Sequence, residues 1–455
     1  MPRSRRGCDG PRGRRDSPPQ RRRRRVGSPG QSSQLGRSSN YCVALPDSRS
    51  LRGRLAGVVA AEYFVTQLGV FSLLPVLPVI LKTRVTGSPD AAGAILFAFL
   101  VTYRGASIAV GGALERVSSK RALLGGLALT AGCFLALGAV GAHAYAAPLL
   151  VLSGVGMSIN GVVGKAIVAE NVEDAPARLR AFALLNVVLN AAAGVGPFVG
   201  TALVGHVADR ALFGYVGVCY LVAVAVVAAG IEERPRPRRA ASGVLDWRSY
   251  VGLFRERSLR FLIVTSAAVW FFYAQLFSGL PVHLFAHFGS RGLIASFFAL
   301  NAVLIILLQY PLAAGLSRRP SGMRSESYME VLALGFVLFG VSFVVLGAAG
   351  AALAGVYAAV VLFTLAEMLS TPLLDAAFAH LGHAGRHVLS FNARKLAQVV
   401  GEGVGGFSGI ALQNFFVHHG GESSYWWLLG ACSLATSAVV HAVNVTQVTA
   451  TASEL

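Results

Sequence analysis

The chain has 455 residues, of which 54% are hydrophobic and only 13% charged, and its mean hydropathy is +0.60. That balance excludes an ordinary soluble domain and predicts a membrane protein. The net charge of +19 is too unevenly spread to be read as one basic surface.

Residues 1–54 form a separate block rich in Arg, Ser, Pro and Gly, with RRRRR at 21–25, and are predicted to be a disordered basic tail. The block has no apolar core, so it is not a signal peptide. A solvated tail, an anionic-lipid contact, a nucleic-acid arm and an unused upstream start remain open readings of it. From Leu55 to Val445 apolar stretches recur, each near the roughly 20 residues that cross a bilayer as a helix. The predicted spans are 55–81, 91–114, 122–142, 146–171, 181–204, 212–231, 259–285, 292–314, 328–349, 352–374, 392–416 and 425–445. The 52 glycines suit such spans, because small residues let membrane helices approach closely. The five cysteines have no CxxC or metal-like spacing and imply no disulfide.

Basic residues alternate along the gaps. Rich gaps carry Arg116, Lys120 and Arg121, then Arg178 and Arg180, then eight arginines from Arg234 to Arg260, then Arg318, Arg319 and Arg324, then Arg386, Arg394 and Lys395; poor gaps carry only Lys82, Arg84, Arg210 and Arg291. The positive-inside rule then sets both termini in the cytoplasm. Two cations fall inside spans, Arg104 and Lys165. The basic stretch at 232–258 reads as a linker between halves 55–231 and 259–445, with a short tail at 446–455. A repeat supports that division: GVGPFVGTAL at 194–203 matches GVGGFSGIAL at 403–412, six spans apart, as in transporters built from two related halves.

Several motifs now resemble those of the major facilitator superfamily. GGALERVSSKR at 111–121 is similar to that family's G-x-L-A-D-R-x-G-R-K signature between helices two and three, with Gly111, Glu115, Arg116 and Lys120 in matching places; Glu115 stands where Asp is usual and Ser118 replaces the second glycine. AGLSRRPSGMR at 314–324 is a weaker copy in the second half. GPFVG at 196–200, with Gly196, Pro197 and Gly200, resembles the core of the antiporter motif in helix five. One departure is Leu150, in LVLSG at 150–154, where many drug antiporters carry an arginine. The resemblance implies an all-α polytopic fold of two six-helix bundles, a monomer without cofactor, a small-molecule substrate and helices one, four, seven and ten around a central cavity. The drug:proton antiporter branch is the nearest in flavour.

The candidate functional residues follow. Glu115 and Arg116 are expected to form a gating latch: the family fold sets them against the start of helix eleven, whose positive end attracts a carboxylate by about 0.3 to 1 kcal/mol. The other reading is an ordinary basic loop. Arg104, mid-span, should face a cavity or a partner, since such a charge costs about 2.5 to 3.5 kcal/mol on insertion scales. Glu62, Lys165, Glu367 and Glu402 are the proton-coupling candidates. A carboxyl in a low-dielectric cavity holds a proton more readily than one in water, and an approaching cation opposes this. Glu62, Lys165 and Glu367 are expected to share the cavity, with Glu367 first choice as proton carrier, while Glu402 has a packing hydrogen bond as its other reading. Asp375 and Glu170, nearer the loops, read as solvated acids. Trp270, Tyr273 and Gln275, with Asn160 and Asn186, are candidates for the substrate cavity, and His283, His287, His418 and His419 are expected near the outer face in solvent.

These features predict a proton-coupled exporter of small organic molecules, a drug or secondary metabolite, in the plasma membrane of a GC-rich bacterium. Uptake of a small nutrient is the alternative within transport, and a non-transporting receptor or scaffold the alternative outside it. Buried charges argue against a scaffold, which would not need their cost. An enzyme is disfavoured because no nucleophile elbow, metal cluster or P-loop is found.

Overall fold

The computed structural model of the protein describes residues 48–140, 145–206, 209–233, 251–252, 254–288, 291–318, 325–381, 387–419 and 421–453. The basic tail up to residue 47, most of the 232–258 linker and the second-half motif beyond Arg318 lie outside the described residues.

Twelve long helices follow one another, with no strand among the described residues. They are α1 (Ser48–Leu73), α2 (Pro89–Ala109), α3 (Ser119–Val140), α4 (Ala146–Asn171), α5 (Ala175–His206), α6 (Asp209–Gly230), α7 (Arg257–Tyr273), α8 (Arg291–Leu316), α9 (Ser325–Ala349), α10 (Leu353–Leu381), α11 (His387–His418) and α12 (Glu422–Ser453). Eleven of the described spans are long and apolar enough to cross a membrane. The exception is α11, where Arg394, Lys395, Gln398, Glu402 and Gln413 interrupt a glycine-rich run. A helix this polar needs partners inside the protein, and it finds them below.

Two predicted spans are broken. The first stops at Leu73, before Pro75 and Pro78, and continues as short turns at Leu77–Ile80 and Leu81–Thr86 that end on Gly87, whose φ of 66° is left-handed. The seventh gives way after Tyr273 to a single 3-10 turn and resumes at Gly279–Phe288. Pro281 cannot donate a backbone hydrogen bond to that junction, so a straight helix there is disfavoured.

Packing repeats in the two halves. In the first, α3 packs on α4 and α6, α1 on α5 and α6, and α2 on α4. In the second, α9 packs on α10 and α12, α7 on α11, and α8 on α10. The repeated glycines make the matched approaches possible. A Cβ on Gly196 would lie 2.6 Å from Phe71 Cβ, and one on Gly200 would collide with the Ser72 carbonyl on α1. In the other half a Cβ on Gly405 would overlap the Phe271 backbone and one on Gly409 the Ser278 side chain. Pro197 sits inside α5, and the Thr201 hydroxyl donates to its carbonyl at 2.8 Å. Between the halves, α5 meets α8 and α10, and α11 meets α2 and α4.

Candidate functional site

Between the halves lies a cavity of about 580 Å³, large enough for a drug-sized molecule. Rings form much of its wall: Tyr63 and Phe71 from α1, Tyr103 from α2, Trp270 and Tyr273 from α7, and Phe277 just beyond. Trp270 meets Tyr273 edge-on at 5.0 Å between ring centres, and Tyr273 lies 5.5 Å from Phe277. Six charged side chains complete the lining: Arg104, Lys165, Asp375, Arg394, Lys395 and Glu402.

Asp375 organises them. Lys165 Nζ on α4 lies 2.8 Å from its Oδ2, while Arg394 Nε on α11 pairs with its Oδ1. All three are largely buried, so both ion pairs act in a low dielectric, and the Lys165 contact is also a charge-assisted hydrogen bond. Arg394 also lies over the Trp270 ring, 5.3 Å from its centre. The expectation of a solvated Asp375 is therefore corrected, and Arg394 and Lys395 belong to a helix and not a loop. Hydropathy ends a span at its first charges, but here α10 runs on to Leu381 and α11 starts at His387. Asp375, Arg394 and Glu402 each meet an opposite charge on another helix inside the bundle or face one across the cavity, so the helices need not stop at them.

Arg104 lines the cavity, its Nη1 lying 3.6 Å from Glu402 Oε2; Gln398 Nε2 donates to the other Glu402 oxygen at 2.7 Å. Lys395 Nζ donates to the Tyr103 carbonyl at 3.1 Å and the Ser158 hydroxyl at 3.0 Å. Trp270, Tyr273 and Asn186 line the cavity as expected, and Asn186 Nδ2 donates across the halves to Gln309 Oε1 at 2.8 Å.

Other expected members are elsewhere. Glu62 is fully buried in the first half, accepting from Asn160 Nδ2 at 2.8 Å and Thr66 Oγ1 at 3.4 Å. Glu367 accepts from Asn301 Nδ2 on α8 at 2.9 Å, within the second half. Neither carboxyl lines the cavity, and neither does Asn160. The physical reason is that each acid has a polar partner on a neighbouring helix of its own half, and turning outward would forfeit it. Gln275 is likewise committed to packing: it donates to the Gly405 carbonyl at 3.0 Å and accepts from the Tyr425 hydroxyl at 2.6 Å. His283, expected in solvent, is buried and accepts from Trp426 Nε1 at 3.3 Å.

At the end of the bundle formed by residues 111–121, Glu115 Oε1 accepts from the backbone N–H of Leu389 at 3.0 Å, in the first turn of α11. Arg180 Nη1 donates to Ser317 Oγ at 2.9 Å, and Asn392 Nδ2 to the Ser107 carbonyl at 2.8 Å. These bonds join the two halves at that end. Arg116 is exposed, Lys120 donates to the Ala228 carbonyl at 2.9 Å, and Gly111 is buried in a short helical turn, so Glu115 is the member of the motif that crosses between halves.

The family model described as Major Facilitator Superfamily matches residues 60–406. The chain belongs to that superfamily. No curated protein sequence matches it. Among solved structures, the human organic anion transporter MFSD10 (TETRAN) is similar with a TM-score of 0.65 at 17% identity, over 88% of this chain and 99% of that one. The E. coli fucose:proton symporter FucP is similar with a TM-score of 0.61 at 14% identity, over 86% and 98% of the two chains. A POT family transporter in complex with a thioalcohol-conjugated peptide follows at 0.59 and 12%, over 86% and 95%. At these identities the likeness is one of fold. The protein is a multi-pass membrane transporter of the superfamily, not an enzyme.

Proposed function

We propose that this superfamily member exports small organic molecules from the cell by proton antiport, with Asp375 as the coupling acid. The observation that carries the reading is the Lys165–Asp375–Arg394 cluster, which faces the central cavity and ties the first half to the second. An ionised Asp375 holds both cations and keeps the halves together at the 111–121 end, taken as cytoplasmic from its basic loops. A proton arriving through the cavity would neutralise the carboxylate and weaken its hold on Lys165. The halves could then part at that end, release the proton inside and accept cargo. Re-ionised Asp375 would recapture Lys165 on the return. Glu367, favoured on sequence, is the poorer candidate, because its partner Asn301 belongs to its own half and does not change as the halves rock.

The test is flux in proteoliposomes under an imposed pH gradient, with a panel of small organic compounds. Asp375→Asn should abolish gradient-driven transport while leaving exchange of bound cargo measurable. Glu367→Gln should retain gradient-driven transport. If Asp375→Asn still accumulates cargo in response to the gradient, the coupling assignment is wrong.

A further inference from the structure

We infer that the cargo is an amphipathic organic anion whose acidic group docks on Lys395, with Arg104 beside it. The inference rests on reading the central cavity as the cargo site. Four cations, Arg104, Lys165, Arg394 and Lys395, face two carboxylates, Asp375 and Glu402, which leaves an excess of two positive charges in the lining. Asp375 is committed to Lys165 and Arg394 together. Glu402 therefore remains for Arg104, and their separation of 3.6 Å exceeds the roughly 2.7 to 2.9 Å of a direct charge-assisted hydrogen bond.

Among the described residues Lys395 has no carboxylate within ion-pair distance. Its ammonium makes two hydrogen bonds, both to neutral oxygens, and an ammonium has three N–H bonds to give. Removing a cation from water without a counter-charge is costly, and a ligand anion would supply the missing charge. The same position fixes the shape of the ligand. Lys395 stands 5.8 Å from the centre of the Tyr103 ring, and Trp270, Tyr273 and Phe277 line the cavity from α7 and just beyond it. A carboxylate or sulfonate attached to a flat apolar body would meet the cations with one end and the rings with the other. A cationic drug would add to the excess and is disfavoured. Lys395 further bridges α11 to α2 and α4, so an anion bound there would sit on a contact that changes when the halves move.

The experiment uses the full-length protein in nanodiscs and matched triplets of ligands sharing one body, such as 1-naphthylacetate, 1-naphthylacetamide and 1-naphthylethylamine. Binding is read by titration calorimetry. The anion should bind at least about tenfold tighter than the neutral amide, with the amine weakest. Lys395→Gln should remove about tenfold of the anion's affinity and leave the amide's unchanged, a split that a merely structural role would not produce; Lys395→Arg should retain the preference. Equal binding of anion and amide, tighter binding of the amine, no binding of any anionic member, or an intact anion preference in Lys395→Gln would each overturn the inference. Loss of pH-driven flux with anion-selective binding intact would count against the coupling scheme alone.

Discussion

A carboxylate held by two cations answers differently to the loss of each neighbour, and Asp375 is in that position. Removing Lys165 leaves Asp375 paired with Arg394, whereas removing Asp375 leaves two buried cations facing each other. Breaking a buried pair by deleting one partner costs on the order of 3 to 5 kcal/mol. Asp375→Asn should therefore lower thermal stability in detergent clearly more than Lys165→Met, and the double variant should be more stable than Asp375→Asn alone. If the three variants melt together, the cluster is not energetically coupled. Arg104 and Lys165 were legible in the sequence because each interrupts an apolar run. Asp375, Arg394 and Lys395 were not, since each stands near the end of such a run, where a charge normally marks the water boundary. What distinguishes them is the partner on another helix, and no spacing along one chain displays that.

At the scale of elements, the clearest sequence signal was the repeat at 194–203 and 403–412, and it falls where α5 meets α1 and α11 meets α7. The spacing shared by the two copies has a steric meaning: Gly200 rests on the Ser72 backbone, which cannot swing aside as a side chain can, whereas a Cβ at Gly194 would meet nothing within 4 Å. Gly200→Ala should cost about 1 to 3 kcal/mol of stability through overpacking, while Gly194→Ala should stay within about 0.5 kcal/mol of wild type. Both are read by thermal unfolding of purified protein, and equal effects would remove the packing account. The breaks after Leu73 and Tyr273 were less legible. Hydropathy averages over a window and passes straight through Pro78 and Pro281, although neither can donate to the backbone ladder. The polarity of α11 was visible, but its cause was not: its charges face the cavity and the first half instead of lipid.

For the whole molecule, long apolar runs were enough to foresee membrane helices, because lipid leaves a chain few other solutions; their division into two bundles came from the linker, the internal repeat and the family resemblance. The conformation was beyond their reach, since it depends on bonds between halves that any open form must break. Glu115 to the Leu389 amide, Arg180 to Ser317 and Lys165 to Asp375 all join the halves and together favour the closed arrangement of that end. They need not contribute equally. Glu115 faces a helix start and should be worth about 0.3 to 1 kcal/mol, so Glu115→Gln should shift the closed-to-open ratio by only about two- to fivefold. Adding Asp375→Asn removes the ionic tie as well and should make the open form dominant. Spin labels at Val117 and Arg318, both exposed at this end and in different halves, would report the change in a cysteine-free background. Wild type should give one short distance, Glu115→Gln a minor longer component, and the double variant mainly the longer one. An unchanged distribution in the double variant would mean that neither carboxylate holds the halves together, and the gate would have to be sought in the contacts of α5 with α8 and α10.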